Sequence, residues 1–223
     1  MMFSFYLQKL IAAFPFFLEG FWVTLWLSGL CIVTGTILGF LVGFLRISNI
    51  KPVKFIAGFY SDIIRGTPFL VQIFFIYFIF PEFGIQLGPM EAAIVGLTLL
   101  HGGFICEIVA AGIEMIPKGQ WEAAESSGFS TYQRMRYIIL PQAMPGILGP
   151  LTGQYISGIK ESAIISVIGV MDVTRVGWLT VQRIPHGLLV FSLVALFYFS
   201  ICYPTSRLIA RFEKKTTHRE IIL

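Results

Sequence analysis

WEAAESSGFSTYQRMRYIILP, residues 121–141, is a polar and mildly basic segment set between hydrophobic runs long enough to cross a bilayer. Within it Glu122-Ala123-Ala124 is followed by three residues and Gly128, then by nine residues, Ile138, one residue and Leu140-Pro141. The residue types carry a physical logic of their own. Ala123 and Ala124 are small enough for another protein to approach the backbone, and Gly128 permits a sharp turn between two short helices. Glu122 places a negative charge near the start of the first helix. Read without a partner, the same stretch is an ordinary amphipathic connector between two helices.

The rest of the chain says what this segment connects. Its 223 residues are 56% hydrophobic and only 13% charged, and the mean hydropathy is +0.81, outside the range of a soluble domain. With 22 Phe the aromatic content fits lipid-facing and interfacial positions better than one small water-soluble core. Large catalytic machinery has no room here and must belong to other chains. Near the N-terminus Lys9 precedes an apolar run from Leu10 to Leu18, but Pro15 interrupts the run and no small-residue cleavage site follows. The reading is a first helix that acts as its own insertion signal, with none removed.

Five segments meet the length of roughly 20 residues needed for a span. Their approximate limits are 20–45, 55–80, 90–115, 143–168 and 188–210, a single all-α transmembrane domain over residues 1–223, with a polar loop at 117–141. Lys and Arg divide unevenly between the two sets of connections. Eleven, including Arg46, Lys51, Lys54, Lys118, Arg134, Arg136 and the tail residues Arg207, Arg211, Lys214, Lys215 and Arg219, fall on one side, and only Lys9, Arg175 and Arg183 on the other. Basic residues are retained in the cytoplasm, so the N-terminus should face outward and the polar loop and C-terminus inward. The net charge of +4 then reports topology and contact with anionic lipid, not nucleic acid.

Gly35, Gly39 and Gly43 recur at four-residue spacing in the first span, a face for close helix packing, whether within the subunit or at a dimer seam. Arg65-Gly66-Thr67-Pro68 interrupts the second. Either this is an opening or hinge in one span, or residues 53–64 lie along the inner interface and the span begins near Pro68.

Ionisable groups within spans are costly and usually face a pathway or a partner. Glu107 lies in the third span, and Lys160-Glu161 in the fourth with Gln154, Ser157 and Ser162 close by. Gln154, Ser157 and Glu161 share one helical face. Glu107 and Glu161 suit an α-ammonium group, while Lys160, Arg65 or exposed backbone donors near Thr67 and Gln72 suit a carboxylate, together a site for a zwitterion. The packing alternative is that Lys160 neutralises Glu107 or Glu161 between helices. Cys31, Cys106 and Cys202, and His101, His186 and His218, are too scattered for a disulfide framework or a metal site.

With the loop, the spans and the orientation in hand, the chain resembles the polar amino-acid branch of binding-protein-dependent ABC importer permeases. The matching phrases are IRGTPFLVQIFFIYF (64–78), CEIVAAGIEMIPKGQWEAA (106–124), IILPQAMPGILGPLTGQYISGIKES (138–162) and ISVIGVMDVTR (165–175). The resemblance implies the type I importer permease fold in the bacterial inner membrane. It implies that Glu122, Ala123, Ala124 and Gly128 form a coupling helix docked on a cytoplasmic ABC ATPase dimer, with Arg134 and Arg136 beside it. It further implies a periplasmic solute-binding protein, a second permease subunit, identical or similar, and a polar amino acid as cargo. ATP and magnesium would be bound by the ATPase; consistently, this chain lacks a G-x-x-x-x-G-K-[ST] phosphate loop. Two positions depart from the family pattern: Ala110 stands where an arginine is frequent, and Lys160-Glu161 where a lysine-aspartate pair is usual. The competing classes are an integral-membrane enzyme using Glu107 and Glu161 as acid and base, which lacks an accompanying nucleophile, and a passive channel, which has no use for a docking loop.

Overall fold

The computed structural model describes the backbone of residues 2–220 and the side chains of residues 5–208. The basic tail residues Arg211, Lys214, Lys215 and Arg219, and His218, lie outside the described side chains. Among the described residues the secondary structure is helical: α1 (Met2–Arg46), α2 (Lys51–Gly66), α3 (Phe69–Phe74), α4 (Pro89–Glu114), α5 (Lys118–Ser126), α6 (Thr131–Gln133), α7 (Leu140–Glu161), α8 (Val173–Arg183) and α9 (Gly187–Glu220). Wider π-helical turns extend α3 and α6, and a 3-10 stretch, Ser162–Ile168, extends α7.

Length and hydropathy qualify Phe5–Arg46, Pro89–Glu114 and Gly187–Leu208 as spans. Two broken helix pairs, Lys51–Gly66 with Phe69–Phe83 and Thr131–Ile168 with Val173–Arg183, raise the candidates to five. Two details differ from the sequence expectation, the start of α1 and a helix at residues 173–183. α1 begins well before residue 20 and runs through Pro15, so its 45 residues extend about 67 Å at 1.5 Å each, over twice the hydrocarbon thickness. The second span breaks at Arg65-Gly66-Thr67-Pro68, where the sequence places the interruption. α2 ends at Gly66 and α3 restarts at Phe69 after an extended Pro68 (φ −63°, ψ 136°). Residues 173–183, expected as a connection, form α8, with Asp172 accepting from the Arg175 N–H at 2.8 Å as its N-cap.

The chain divides into two units, each with its own core. One comprises residues through Val33, Thr67–Thr98 and Ile156–Thr205. Phe17, Val173, Val190 and Val194 lie at its centre, with Phe197 stacked on Phe17 and tilted against Phe21. α8 is fixed here by its buried face of Val173, Val176, Gly177 and Thr180. Gly20 lets α1 approach closely, since a Cβ there would stand 2.9 Å from the Asp172 carbonyl oxygen. Thr24 accepts from the Val173 N–H, and the Ser28 hydroxyl donates to Ser162 at 3.1 Å.

The other unit comprises Thr34–Gly66, Leu99–Tyr155 and residues from Ser206 onward. Its core joins Ile105, Val109 and Ile113 of α4 to Ala143, Ile147 and Leu151 of α7. Gly39 and Gly43 meet Ile105 and Val109 of α4, so this part of the glycine face packs inside the subunit. From α2, the Tyr60 hydroxyl donates to the Leu99 carbonyl at 2.6 Å and Ser61 to the Gly103 carbonyl at 2.9 Å. These bonds hold α2 along α4.

Candidate functional site

The polar loop folds as two short helices of the second unit joined by a hydrogen-bonded turn. α5 is anchored by Trp121, which packs against the core of that unit, and by Ala124, 2% exposed. Its end is closed by a Schellman motif: the Gly128 N–H donates to the Glu125 carbonyl at 2.9 Å and the Phe129 N–H to the Ala124 carbonyl at 3.2 Å. Gly128 has φ +80°, the left-handed region that glycine occupies without penalty. A capping box then starts α6. Ser130 Oγ accepts from the Gln133 N–H at 3.3 Å, and Gln133 Oε1 accepts from the Ser130 N–H at 2.9 Å. Arg134 braces the two helices, donating to Glu125 Oε2 at 2.7 Å and Thr131 Oγ1 at 3.2 Å. Beside the loop lies a cleft of about 1090 Å³ whose lining includes Phe44, Ile50, Trp121, Tyr132, Arg134 and Arg136.

This geometry assigns different parts to residues that the sequence groups together. Ala123 is exposed and open to a partner, whereas Ala124 faces the core and serves packing. Glu122 lies a full turn inside α5, which starts at Lys118, so its charge is too far from the N-terminus to act on the helix dipole. It remains exposed, as does Arg136, while the Arg134 side chain is only 17% exposed and engaged with Glu125. Exposed aromatic rings at Tyr132 and Tyr137 join this surface. Their aromatic character was the only signal in the sequence.

A second charged feature of the same unit gathers three helices. Glu107 Oε2 of α4 lies 2.7 Å from Arg46 Nη1 and 2.8 Å from Arg65 Nη1. Arg46 is in the last turn of α1 and Arg65 in the last turn of α2, where a cation also complements the helix dipole. Asp62 Oδ1 of α2 also lies 3.9 Å from Arg46 Nη1, so two guanidinium groups are set against two carboxylates. Glu107 therefore presents no bare carboxylate to an ammonium group in this structure. Its partners are arginines, not Lys160, and Arg46 had figured in the sequence only as a topology marker.

The remaining residues on the sequence-derived list are on other helices or breaks. At the break before α3, the Gln72 side-chain amide donates to the Thr67 carbonyl at 3.0 Å and to Thr67 Oγ1 at 2.9 Å, meeting hydrogen-bonding groups that the interruption frees. On α7, Lys160 is exposed, Ser157 half-buried, and buried Ser162 donates to the Ile159 carbonyl at 2.7 Å. Gln154 Nε2 and Glu161 Oε2, like Glu107 Oε2 and His101 Nε2, are buried atoms with no hydrogen-bond partner among the described residues. Unsatisfied polar atoms of this kind are costly in a membrane interior. Among the described residues no cluster of His, Cys, Asp and Glu could hold a metal ion.

Residues 35–218, which hold the loop and both charged features, match the protein family described as "Binding-protein-dependent transport system inner membrane component". The chain is 36% identical over 205 residues to the glutamine transport system permease protein GlnP of Escherichia coli strain K12, covering 91% of this chain and 94% of that one. It is 34% identical over 208 residues to the probable amino-acid ABC transporter permease protein YckA of Bacillus subtilis strain 168, covering 93% and 92%. The fold is similar to a chain of the crystal structure of an amino acid ABC transporter with histidines, with a TM-score of 0.86, 35% identity and coverage of 93% and 97%. Match and coverage extend over nearly the whole chain, loop included, and on that basis the chain belongs to the family of binding-protein-dependent transport system inner membrane components.

Proposed function

We propose that this chain is the transmembrane subunit of an ATP-driven importer of a polar amino acid, coupled through α5 to a separate ATPase. The observation that carries the reading is the closed, braced loop: its turn and its second helix are capped by their own hydrogen bonds, yet Glu122, Ala123 and Arg136 are exposed. A connector needs no such rigidity. A lever does, because a contact can bias a conformational equilibrium only by binding the two states unequally, and a flexible contact transmits little of that difference. The names of the glutamine and amino-acid permeases it resembles support an amino acid as cargo.

In this reading the N-terminus is periplasmic and the loop and C-terminus cytoplasmic, following the eleven-to-three division of basic residues. The site is the bacterial inner membrane. Two permease subunits, identical or similar, are joined by an ATPase dimer that carries the ATP and magnesium, and a periplasmic solute-binding protein delivers the cargo. ATP-driven closure draws the paired coupling helices together and turns the permeases outward; release returns them. The unpartnered Gln154 and Glu161 atoms on α7 suit the ammonium and polar groups of an amino acid, with Ser157 on the same face. Glu107, held by Arg46 and Arg65, keeps the helix ends together, and Thr67 and Gln72 mend the break before α3. An enzyme or passive channel finds no corresponding support in the relatives.

Reconstitution with the co-purifying subunits tests this directly. Uptake of a radiolabelled polar amino acid should require ATP, and Glu161→Ala should abolish it while leaving subunit recovery unchanged. Uptake without nucleotide, or normal uptake by Glu161→Ala, contradicts the proposal.

A further inference from the structure

The first unit carries a second cleft that the transport reading does not use. It has a volume of about 510 Å³ and lies between the early turns of α1 and the helix α8. Its walls are Ala12, Ala13, Phe16, Val176, Leu179 and Ile184, and Lys9 and Arg183 also line it. Met171 and Thr180 complete the lining, so the cleft holds two cations and no carboxylate. Both cations are exposed. Lys9 Nζ lies 4.5 Å from the Phe5 ring centroid, a contact that leaves its charge uncompensated.

From this cleft we infer a binding site for an anionic phospholipid, with the phosphate between Lys9 and Arg183 and one acyl chain along the apolar floor. The volume falls within the roughly 300–1,000 Å³ of ordinary small-molecule sites. An apolar floor with cations at one end matches an amphiphile whose head is negative. The two alanines supply the hollow, because neither side chain fills the space beside α8. The surroundings are those of a membrane interface. Trp178 on the outward side of α8 is exposed and lies 5.5 Å from the Arg175 guanidinium, and Trp22 of α1 is more exposed still. Ile11, Phe14, Phe16 and Leu18 of α1 are also exposed, apolar surface that lipid can cover.

The test uses the chain purified with its accompanying subunits in phosphatidylcholine nanodiscs carrying graded phosphatidylglycerol of the same acyl composition. Native mass spectrometry reads the lipid retained. Each cation near an anionic headgroup changes affinity about five-fold, so the Lys9→Ala, Arg183→Ala double variant should lose phosphatidylglycerol preference on the order of 25-fold. Ala13→Phe fills the hollow and should reduce retention of lipid with either headgroup, the cations being intact. Arg183→Gln alone, a milder change, should lose about five-fold and serves if the double variant misassembles. Unchanged preference in these variants overturns the site. So does displacement of phosphatidylglycerol by inorganic phosphate at equal concentration, which identifies a free-anion site, or a loss of solute-binding-protein affinity with lipid retention intact, which identifies a protein-docking surface.

Discussion

The second unit holds two charged assemblies, and they are built on opposite principles. In the polar loop, Arg134 pairs with Glu125, a carboxylate largely open to water, and hydrogen bonds of the Schellman motif and capping box already fix the geometry. At the other, Glu107 is flanked by Arg46 and Arg65 with all three drawn from different helices and none fully solvated. An exposed pair contributes about 0–1 kcal/mol, since water competes for both ions. Removing one member of a shielded cluster is expensive because the remaining charges are left facing each other. The loop is thus held by its backbone and decorated by charge, while at the helix ends a shielded charge cluster adds to the packing and hydrogen bonds that seat α1 and α2 on α4.

The strongest way to break that contrast is Glu107→Gln, which takes away the carboxylate that Arg46 and Arg65 share and leaves only the more distant Asp62 beside Arg46. We expect a loss of about 3 kcal/mol, at the low end for buried pairs because the cluster is partly exposed. Thermal denaturation of the purified assembly reads it, and removing Arg46 as well should recover part of the loss. Full stability with uptake abolished would return Glu107 to the substrate pathway. Next in size is Gly39→Leu, which forces a side chain against Ile105 and should cost about 1–3 kcal/mol by overpacking. A smaller effect is expected from Ser130→Ala, about 1 kcal/mol, through loss of the helix cap. It should increase proteolysis within residues 126–131 without lowering the melting temperature of the core, sharpening the claim that the loop is a local structure.

The same contrast explains what was legible in the sequence. The turn at Gly128 is local, written in the spacing of small, capping and helix-forming residues, and it formed as read. The Gln154, Ser157, Glu161 face is also local, a matter of helical period along one segment. Long-range partnerships were not legible. Arg46 and Glu107 are 61 positions apart in number, and nothing in either neighbourhood names the other. Ala123 and Ala124 are identical in type, so only packing could decide which faces the core. α8 is written less plainly, because its length is too short for a span, although the Asp172 cap and the recurrence of Val173, Val176, Gly177 and Thr180 are local signals for it. The extent of α1 escaped because Pro15 was weighed as a breaker and the surrounding helix absorbs it.

The central claim is that the outward face of α5 is gripped by a separate ATPase. Single cysteines placed at Ala123 and Ala124, cross-linked in membranes with a short thiol-reactive reagent, test it most directly. The account expects Ala123→Cys to capture a nucleotide-binding subunit, with capture changing when ATP is bound, and Ala124→Cys to capture none. Equal capture at both positions, or none at Ala123 in membranes that still import amino acid, would contradict it.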